Sequence, residues 1–353
     1  MAENPPELLD MPDNVLFEIA EHVGFPALPN LRKVNQKFRR LLDNNTVDSK
    51  FEQIHCDVVD DCFVAAYFME KEEEYGEPFR VEYKNVPNGC LVICDEREKF
   101  LRGQNYAEVF FQDVKMNLRH QKSEMETLCI YLKTKDDALD RQFQQWISDL
   151  LQNRLQPLKT SELYTIGVSP EGLHEIIRHL DAISLETFDL KPNRVFAPMA
   201  YIDRLTTLEH WDLIGNFNFT IPRLISLEHF ARFQKVYFVI EGYLWLQDVI
   251  NIKNKLSRQD MMIKFEVEFL GLERNENQYD VLRNYLEQLS VLLGDPFVYE
   301  NWMDQNCHVW YFRIPGDEDI LRIKAPEHED GVNNLLSYER IDASDVRAGA
   351  VIQ

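Results

Sequence analysis

Between Met11 and Asn44 the chain reads MPDNVLFEIAEHVGFPALPNLRKVNQKFRRLLDN, and its apolar positions fall at helical spacing in two runs. Val15, Leu16, Ile19 and Val23 recur at i, i+1, i+4 and i+8, leaving Asp13, Glu18 and Glu21 for the solvated side. That pattern predicts an amphipathic helix over 12–23. Pro12 suits a helix start, where its missing N–H costs nothing, and Gly24 suits a stop. Phe25, Pro26, Leu28 and Pro29 then make a cramped turn, because each proline biases its predecessor away from the helical region. Asn30 is a good cap for a second helix, with Leu31, Val34, Phe38, Leu41 and Leu42 on one face and Arg32, Lys33, Lys37, Arg39 and Arg40 on the other. Chains under about 40 residues rarely hold a core unaided, so this hairpin needs a neighbour inside or outside the protein.

Periodicity changes after Asn45. FEQIHCDVV, DCFVAAYFME, PFRVEYKNV and GCLVICDE alternate apolar and polar positions and predict short strands, the last two joined by an Asn-Gly hairpin turn within Val86-Pro87-Asn88-Gly89. A helix is expected from roughly Asn105 to His120, carrying Val109, Phe110, Val114 and Leu118. Beyond it, strand-like segments ETLCIYL, SELYTIGV, LETFDLKPN, LEHWDLIGN, KVYFVIEG and IKFEVEFLG alternate with helical ones. Ser169-Pro170-Glu171 opens one such helix, with Leu173, Ile176, Ile177 and Leu180 on its apolar face. Another carries Leu139, Phe143, Trp146, Ile147, Leu150 and Leu151. An L-E-x-x-D-L frame recurs at Leu185–Leu190 and Leu208–Leu213, a step within the roughly 20–29 residues of leucine-rich repeats. Strand alternating with helix implies parallel strands and right-handed crossovers. The fold class expected is α+β overall: a small N-terminal helical module followed by an irregular leucine-rich-repeat-like α/β solenoid.

Composition narrows the partners. The 353 residues carry 60 acidic and 38 basic side chains, a formal net charge of −22, which repels phosphate backbones and anionic membrane surfaces. An uncharged run such as LIGNFNFTIP is far short of a bilayer span, and the first ten residues lack the basic and apolar regions of a secretory signal. A soluble intracellular protein, cytoplasmic or nuclear, is expected, with no nucleic acid and no membrane among its partners. Six cysteines scattered through so long a chain suit free thiols of a reducing compartment.

Candidate chemistry does not assemble. The histidines of HEIIRH (174–179) are five apart, about 140° around a helix, and cannot share a metal as HExxH does. The two thiols of CLVIC (90–94) lie about 13 Å apart along a strand, too far for one zinc. Gly167-Val168-Ser169-Pro170 resembles a nucleophile elbow only faintly, because Pro170 lacks the N–H that the oxyanion hole needs. No phosphate-cradling GxGxxG or GK[ST] loop occurs. The expectation is therefore no catalytic residue, no metal and no cofactor.

The order Leu9, Met11-Pro12, Val15-Leu16, Ile19, Phe25, Leu28, Leu31-Arg32, Val34, Phe38-Arg39-Arg40 and Leu41 resembles an F-box, the helical module that docks on a Skp-family adaptor. Met11 stands where leucine is usual, Asn14 where an acid is common and Phe38 where tryptophan is common. Pro29 falls where the family's short second helix normally runs. From Leu128 to about Leu272 the spacing and apolar pattern resemble the FTH domain, the F-box-associated region of a large nematode family, and DVKMNLRHQKSEMETLCIYLK resembles its entry. The resemblance implies a non-catalytic substrate-recruiting subunit of a Skp–cullin–F-box ubiquitin ligase, bound through the adaptor to a cullin, with the FTH region holding an unidentified protein target. The adaptor-binding residues it implies are Met11, Pro12, Val15, Leu16, Ile19, Phe25, Leu31, Val34 and Phe38. The alternative is an F-box interaction protein that sequesters or scaffolds a partner without ubiquitination. The organisation expected is a disordered N-terminus over 1–8, the F-box over 9–48, a linker region with short strands and a helix over 49–122, the FTH-like repeat domain over 123–315, and an acidic flexible tail over 316–353.

Overall fold

The helical period read over 12–23 becomes α1 (Asp13–Val23), and the second run of cations and leucines yields α2 (Gln36–Asn44). The structure, a computed structural model, describes residues 11–23, 36–44, 47–69, 78–94, 96–134, 136–192, 197–221, 224–225, 227–230, 233–241, 244–257, 264–269, 278–300, 306–326 and 334–353. They fall into two compact units, Met1–Leu185 and Glu186–Gln353.

In the first unit, the alternating segments form β1 (Phe51–Val59), β2 (Cys62–Met69), β3 (Phe79–Val86), β4 (Gly89–Cys94) and β5 (Arg97–Arg102), an antiparallel meander. Next come α3 (Tyr106–His120), β6 (Met125–Leu132), α4 (Asp137–Gln152), β7 (Thr160–Ile166) and α5 (Pro170–Ile177). The sheet runs β5-β4-β3-β2-β1-β6-β7, with β1–β6 and β6–β7 parallel. The 49–122 stretch, expected as a linker region with short strands and a helix, supplies five strands of one sheet and a helix packed on it. Phe63, Ala65 and Tyr67 of β2 point to one face, as period 2 demands, and meet Phe110 and Val114 of α3. Phe63 and Tyr83 both contact the Phe110 ring edge-on, at 5.2 and 5.4 Å between centroids.

Side-chain caps set two of the helix starts. Asn105 accepts from the Ala107 and Glu108 N–H groups at the start of α3, and Ser169 Oγ accepts from Gly172 N–H at 3.1 Å at the start of α5. In the β3–β4 turn the two loop positions are Pro87 and Asn88, not Asn88 and Gly89. Asn88 takes φ 66°, and Gly89 pairs with Val86. Gly167, at φ 77°, closes β7, where an added Cβ would lie 2.1 Å from the Leu132 carbonyl oxygen. Gly167→Ala combines the left-handed penalty with a backbone clash, and a loss of about 3 kcal/mol or more is expected in chemical denaturation.

The second unit contains β8 (Thr187–Lys191), α6 (Pro198–Leu205), α7 (His210–Leu213), β9 (Asn216–Ile221), β10 (Lys235–Ile240), α8 (Leu246–Leu256), β11 (Lys264–Phe269), α9 (Gln278–Leu293), β12 (Phe297–Glu300), β13 (Asn306–Arg313), β14 (Ile320–Pro326) and β15 (Asn334–Ile341). Its strand order is β8-β9-β10-β11-β15-β14-β13-β12. Strands β8 to β11 are parallel and in register, Thr187 beside Asn216, Asn216 beside Lys235, and Lys235 beside Lys264. The remaining pairings are antiparallel. The core centres on Phe217, which touches Trp211, Phe230 and Phe233 at 5.3, 5.4 and 5.2 Å.

Two expectations differ from this architecture. The L-E-x-x-D-L frames are not equivalent, for Leu185–Leu190 runs onto β8 with Phe188 and Leu190 buried, whereas Leu208–Leu213 makes a turn and α7. Leu205, Leu208 and Trp211 follow a three-residue step that suits helix, Leu213 is 55% exposed, and the period-2 stretch comes later, at Phe217, Phe219 and Ile221. Unequal steps between strand starts and the antiparallel half of the sheet do not show a leucine-rich-repeat solenoid; the chain is mixed α/β with large mixed sheets. In the stretch 316–353, expected as a flexible tail, β14 and β15 are instead sheet strands with Ile320, Leu321, Ile323, Leu336, Tyr338 and Ile341 buried. The last residue also docks on β13: Gln353 N–H donates to the Tyr311 carbonyl at 2.9 Å, and Arg313 N–H to the Gln353 carbonyl at 3.1 Å.

Candidate functional site

The two N-terminal helices hold each other through a small core. Leu16, fully buried, packs with Leu41, and half-buried Met11, Phe17 and Ile19 close around them. A second cluster joins Ala20, Leu42 and Val47, again with Phe17. Lys37 links the helices across the polar side, donating through Nζ to the Met11 carbonyl at 2.8 Å and lying 3.4 Å from Asp13 Oδ1. That ion pair is largely exposed and adds little; the carbonyl bond fixes geometry.

Just past α2, the chain is fastened to the first unit. Asp48 accepts from the Lys122 and Ser123 N–H groups at 2.8 and 3.0 Å, one per carboxylate oxygen. Ser49 N–H donates to the His120 carbonyl at 3.1 Å, and its hydroxyl to the Asn117 carbonyl at 3.2 Å. These bonds satisfy the C-terminal end of α3 and set the module on a defined footing.

Of the residues the sequence points to, Pro12 is exposed, and Met11, Val15 and Ile19 are half-buried on α1 or at its start. Leu16 is a correction: with 0% of its surface exposed it belongs to the hairpin core and presents nothing to a partner. Phe38 lies on α2. Phe25, Leu31 and Val34 lie outside the described residues, as do Arg32 and Lys33. Arg39 and Arg40 are exposed.

A second candidate surface is the face of each sheet opposite the buried aromatic side chains. In the first unit it carries a row of rings on four neighbouring strands. His55 lies 4.7 Å from Phe68 and 6.2 Å from Tyr131, and Tyr131 lies 5.3 Å from Tyr164. Burial pushes the Asp57 carboxyl up against the pull of His55, Lys133 and Arg80, and burial pushes the His55 imidazole down despite Asp57. In the second unit the equivalent positions are polar. Asn218 donates to Asp189 at 3.2 Å, Tyr237 to Glu268, and Arg322 to Glu339. Burial would raise Glu339, but Arg322 and Lys324 hold it below the usual carboxylate range.

Residues weighed for chemistry take structural roles. Ser169 caps α5 and donates to Gln144, His174 sits beside Glu175 at 3.4 Å, and all six cysteines are free. Among the described residues no group of three His, Cys, Asp or Glu could hold a metal ion, and no helix is long and apolar enough to cross a membrane.

With this geometry in hand, two family models match the chain: the F-box domain over residues 8–50 and the FTH domain over residues 141–283. The first covers the helical hairpin and its Asp48–Ser49 fastening; the second begins inside α4 and ends inside α9. Neither a curated protein nor a solved structure matches the chain.

Proposed function

We propose that this chain, which carries an F-box and an FTH domain, is a substrate-recruiting subunit of a Skp–cullin–F-box ubiquitin ligase, of the nematode F-box–FTH kind. The observation that carries the reading is the F-box match over 8–50. Pro12, Val15 and Ile19, with Met11 beside them, offer the Skp-family adaptor a partly apolar strip on a hairpin whose own core is already closed. Phe25, Leu31, Val34 and Phe38 complete the proposed contact. Such docking suits an interface of roughly 1,200–2,000 Å². The chain itself does no bond chemistry. It tethers a target near ubiquitin charged on another subunit, so that transfer becomes effectively intramolecular.

The 123–315 region, most of it inside the FTH match, is proposed to hold the target. The working compartment is cytoplasm or nucleus. The test is co-expression of the full chain with a Skp-family adaptor and a cullin, followed by affinity capture. The adaptor should co-purify, and proteins recovered with the chain should accumulate when proteasomes are blocked. Capture without the adaptor defeats the reading. Adaptor capture with bound partners whose levels ignore the block favours sequestration instead.

A further inference from the structure

On the face of the second sheet turned away from its buried aromatic side chains, cations collect at one place. Lys235 of β10, Lys264 of β11, Glu339 of β15 and Arg322 of β14 are successive cross-strand partners, so they stand side by side at the strand spacing of about 4.8 Å. Glu266 and Lys324 come two residues further along β11 and β14 and point to the same face. Each carboxylate is already engaged: Lys264 Nζ lies 2.8 Å from Glu266 Oε1, Arg322 donates to Glu339, and Lys324 Nζ lies 3.9 Å from Glu339. Burial and the Arg322 charge push the Lys324 ammonium down, a sign of crowded cations. Lys235 is exposed and has no ion-pair partner among the described residues. The next carboxylate on β11, Glu268, accepts from the Tyr237 hydroxyl, and burial pushes it up. Four cations against two carboxylates leave a surplus of two positive charges on four adjacent strands, in a chain whose net charge is −22.

We propose that this patch docks a phosphoserine-bearing segment of a partner polypeptide, the phosphoryl group seated over β10 and β11 between Lys235 and Lys264. Charge selects the ligand. Phosphoserine brings about −1.5 to −2 at pH 7 on one compact group with three acceptor oxygens, which matches the local surplus, whereas carboxylates would have to converge in pairs. Arg322 and Lys324 act from behind, because neutralising Glu339 keeps it from repelling the phosphoryl group. The side chains of Lys264 and Lys324 are 35% and 31% exposed, so a ligand can reach them. A long polyanion does not fit, since the field of the whole chain repels it; within about 8 Å, the Debye length at physiological salt, the local cations prevail. Arg322, Lys324 and Glu339 lie outside the 141–283 match, so the FTH model does not delimit this patch. The choice of a polypeptide rests on the recruitment reading and deepens it by naming what the target carries. The test needs no adaptor, so its failure leaves adaptor docking standing, and loss of adaptor capture leaves this patch standing.

The test titrates the full chain into the peptide Ac-Leu-Gly-pSer-Gly-Leu-amide carrying an uncharged fluorophore, followed by anisotropy, beside its Ser and Asp-Asp counterparts. The phosphopeptide should bind at least tenfold tighter than the Ser peptide, the worth of one charge-assisted hydrogen bond, and tighter than the Asp-Asp peptide. Lys235→Gln, at an exposed strand position, should lose most of that preference with an unchanged melting temperature. Lys115→Gln removes the same charge from an exposed position on α3 and should keep it. Equal binding of the phosphoserine and Ser peptides, an Asp-Asp peptide that binds as tightly, or equal losses in the two lysine variants overturns the proposal.

Discussion

Truncation after Pro315 is expected to unfold the Glu186–Gln353 unit, not to trim a loose end. The deleted segment contains β14 and β15, and β15 is the strand that joins the parallel half of the sheet to the rest: it pairs with β11 on one side and β14 on the other. Without it β11 becomes a bare edge, and the β12–β13 ribbon loses every strand partner but itself. The cut also removes the buried side chains of Ile320, Leu321, Ile323, Leu336, Tyr338 and Ile341, and the Tyr338 ring from its place 5.9 Å from Phe265. At about 1.5–3 kcal/mol for each large apolar side chain, the loss is on the order of 10 kcal/mol, comparable to the whole stability of a domain. The truncated chain should elute as aggregate, melt without a cooperative transition for this unit, and be cleaved by protease within 186–315. An unchanged melting curve would return the segment to the status of an acidic tail.

Much of the fold is legible because local signals agreed with the global answer. Ser169-Pro170-Glu171 marks a helix start on sequence alone, since a hydroxyl, a proline and an acid just ahead of an apolar stripe fit the cap and first turn of a helix. Strands β1 to β3 show through because one buried and one half-exposed face impose period 2 on their residues. Strand β14 stays hidden for the opposite reason: in the sequence the acids of GDED and PEHED crowd both sides of ILRIKA, and their charge masks the apolar alternation between them. Strand β5, REKFLR, is hidden too, because an edge strand with five exposed positions of six carries no alternation to read. The L-E-x-x-D-L repeat misleads by giving identical letters to a strand and to a helical turn, where spacing of the neighbouring Leu205 and Trp211 decides. At the proposed adaptor site, α1 can be drawn from its pattern, but the pairing of Leu16 with Leu41 is long-range and puts Leu16 in the hairpin core.

Leu16→Ala and Ile19→Asp should both cost the chain its adaptor, by routes that can be separated. Leu16 has no exposed surface and fills the contact between α1 and α2, so its truncation leaves a cavity worth about 2–5 kcal/mol. Among the described residues the hairpin packs through two small clusters, Leu16 with Leu41 and Ala20 with Leu42 and Val47, and Leu16 is half of the first. In this variant the α1 amides should exchange with solvent orders of magnitude faster, while β1 to β7, whose cores share none of these side chains, keep their protection. Ile19 is half-exposed and only flanks the Leu16–Leu41 pair, so an aspartate there costs about 0.7 kcal/mol of helix propensity and part of one side chain's packing, less than the loss of Leu16. Protection of α1 should persist in Ile19→Asp while capture falls at least tenfold, because a buried interface position has received an unpaired charge. Hydrogen exchange and adaptor capture measured on the same two variants give the decision. If Ile19→Asp still captures the adaptor, the contact does not run along this stripe. If Leu16→Ala captures it with α1 still protected, the hairpin draws its stability from something other than the Leu16–Leu41 contact.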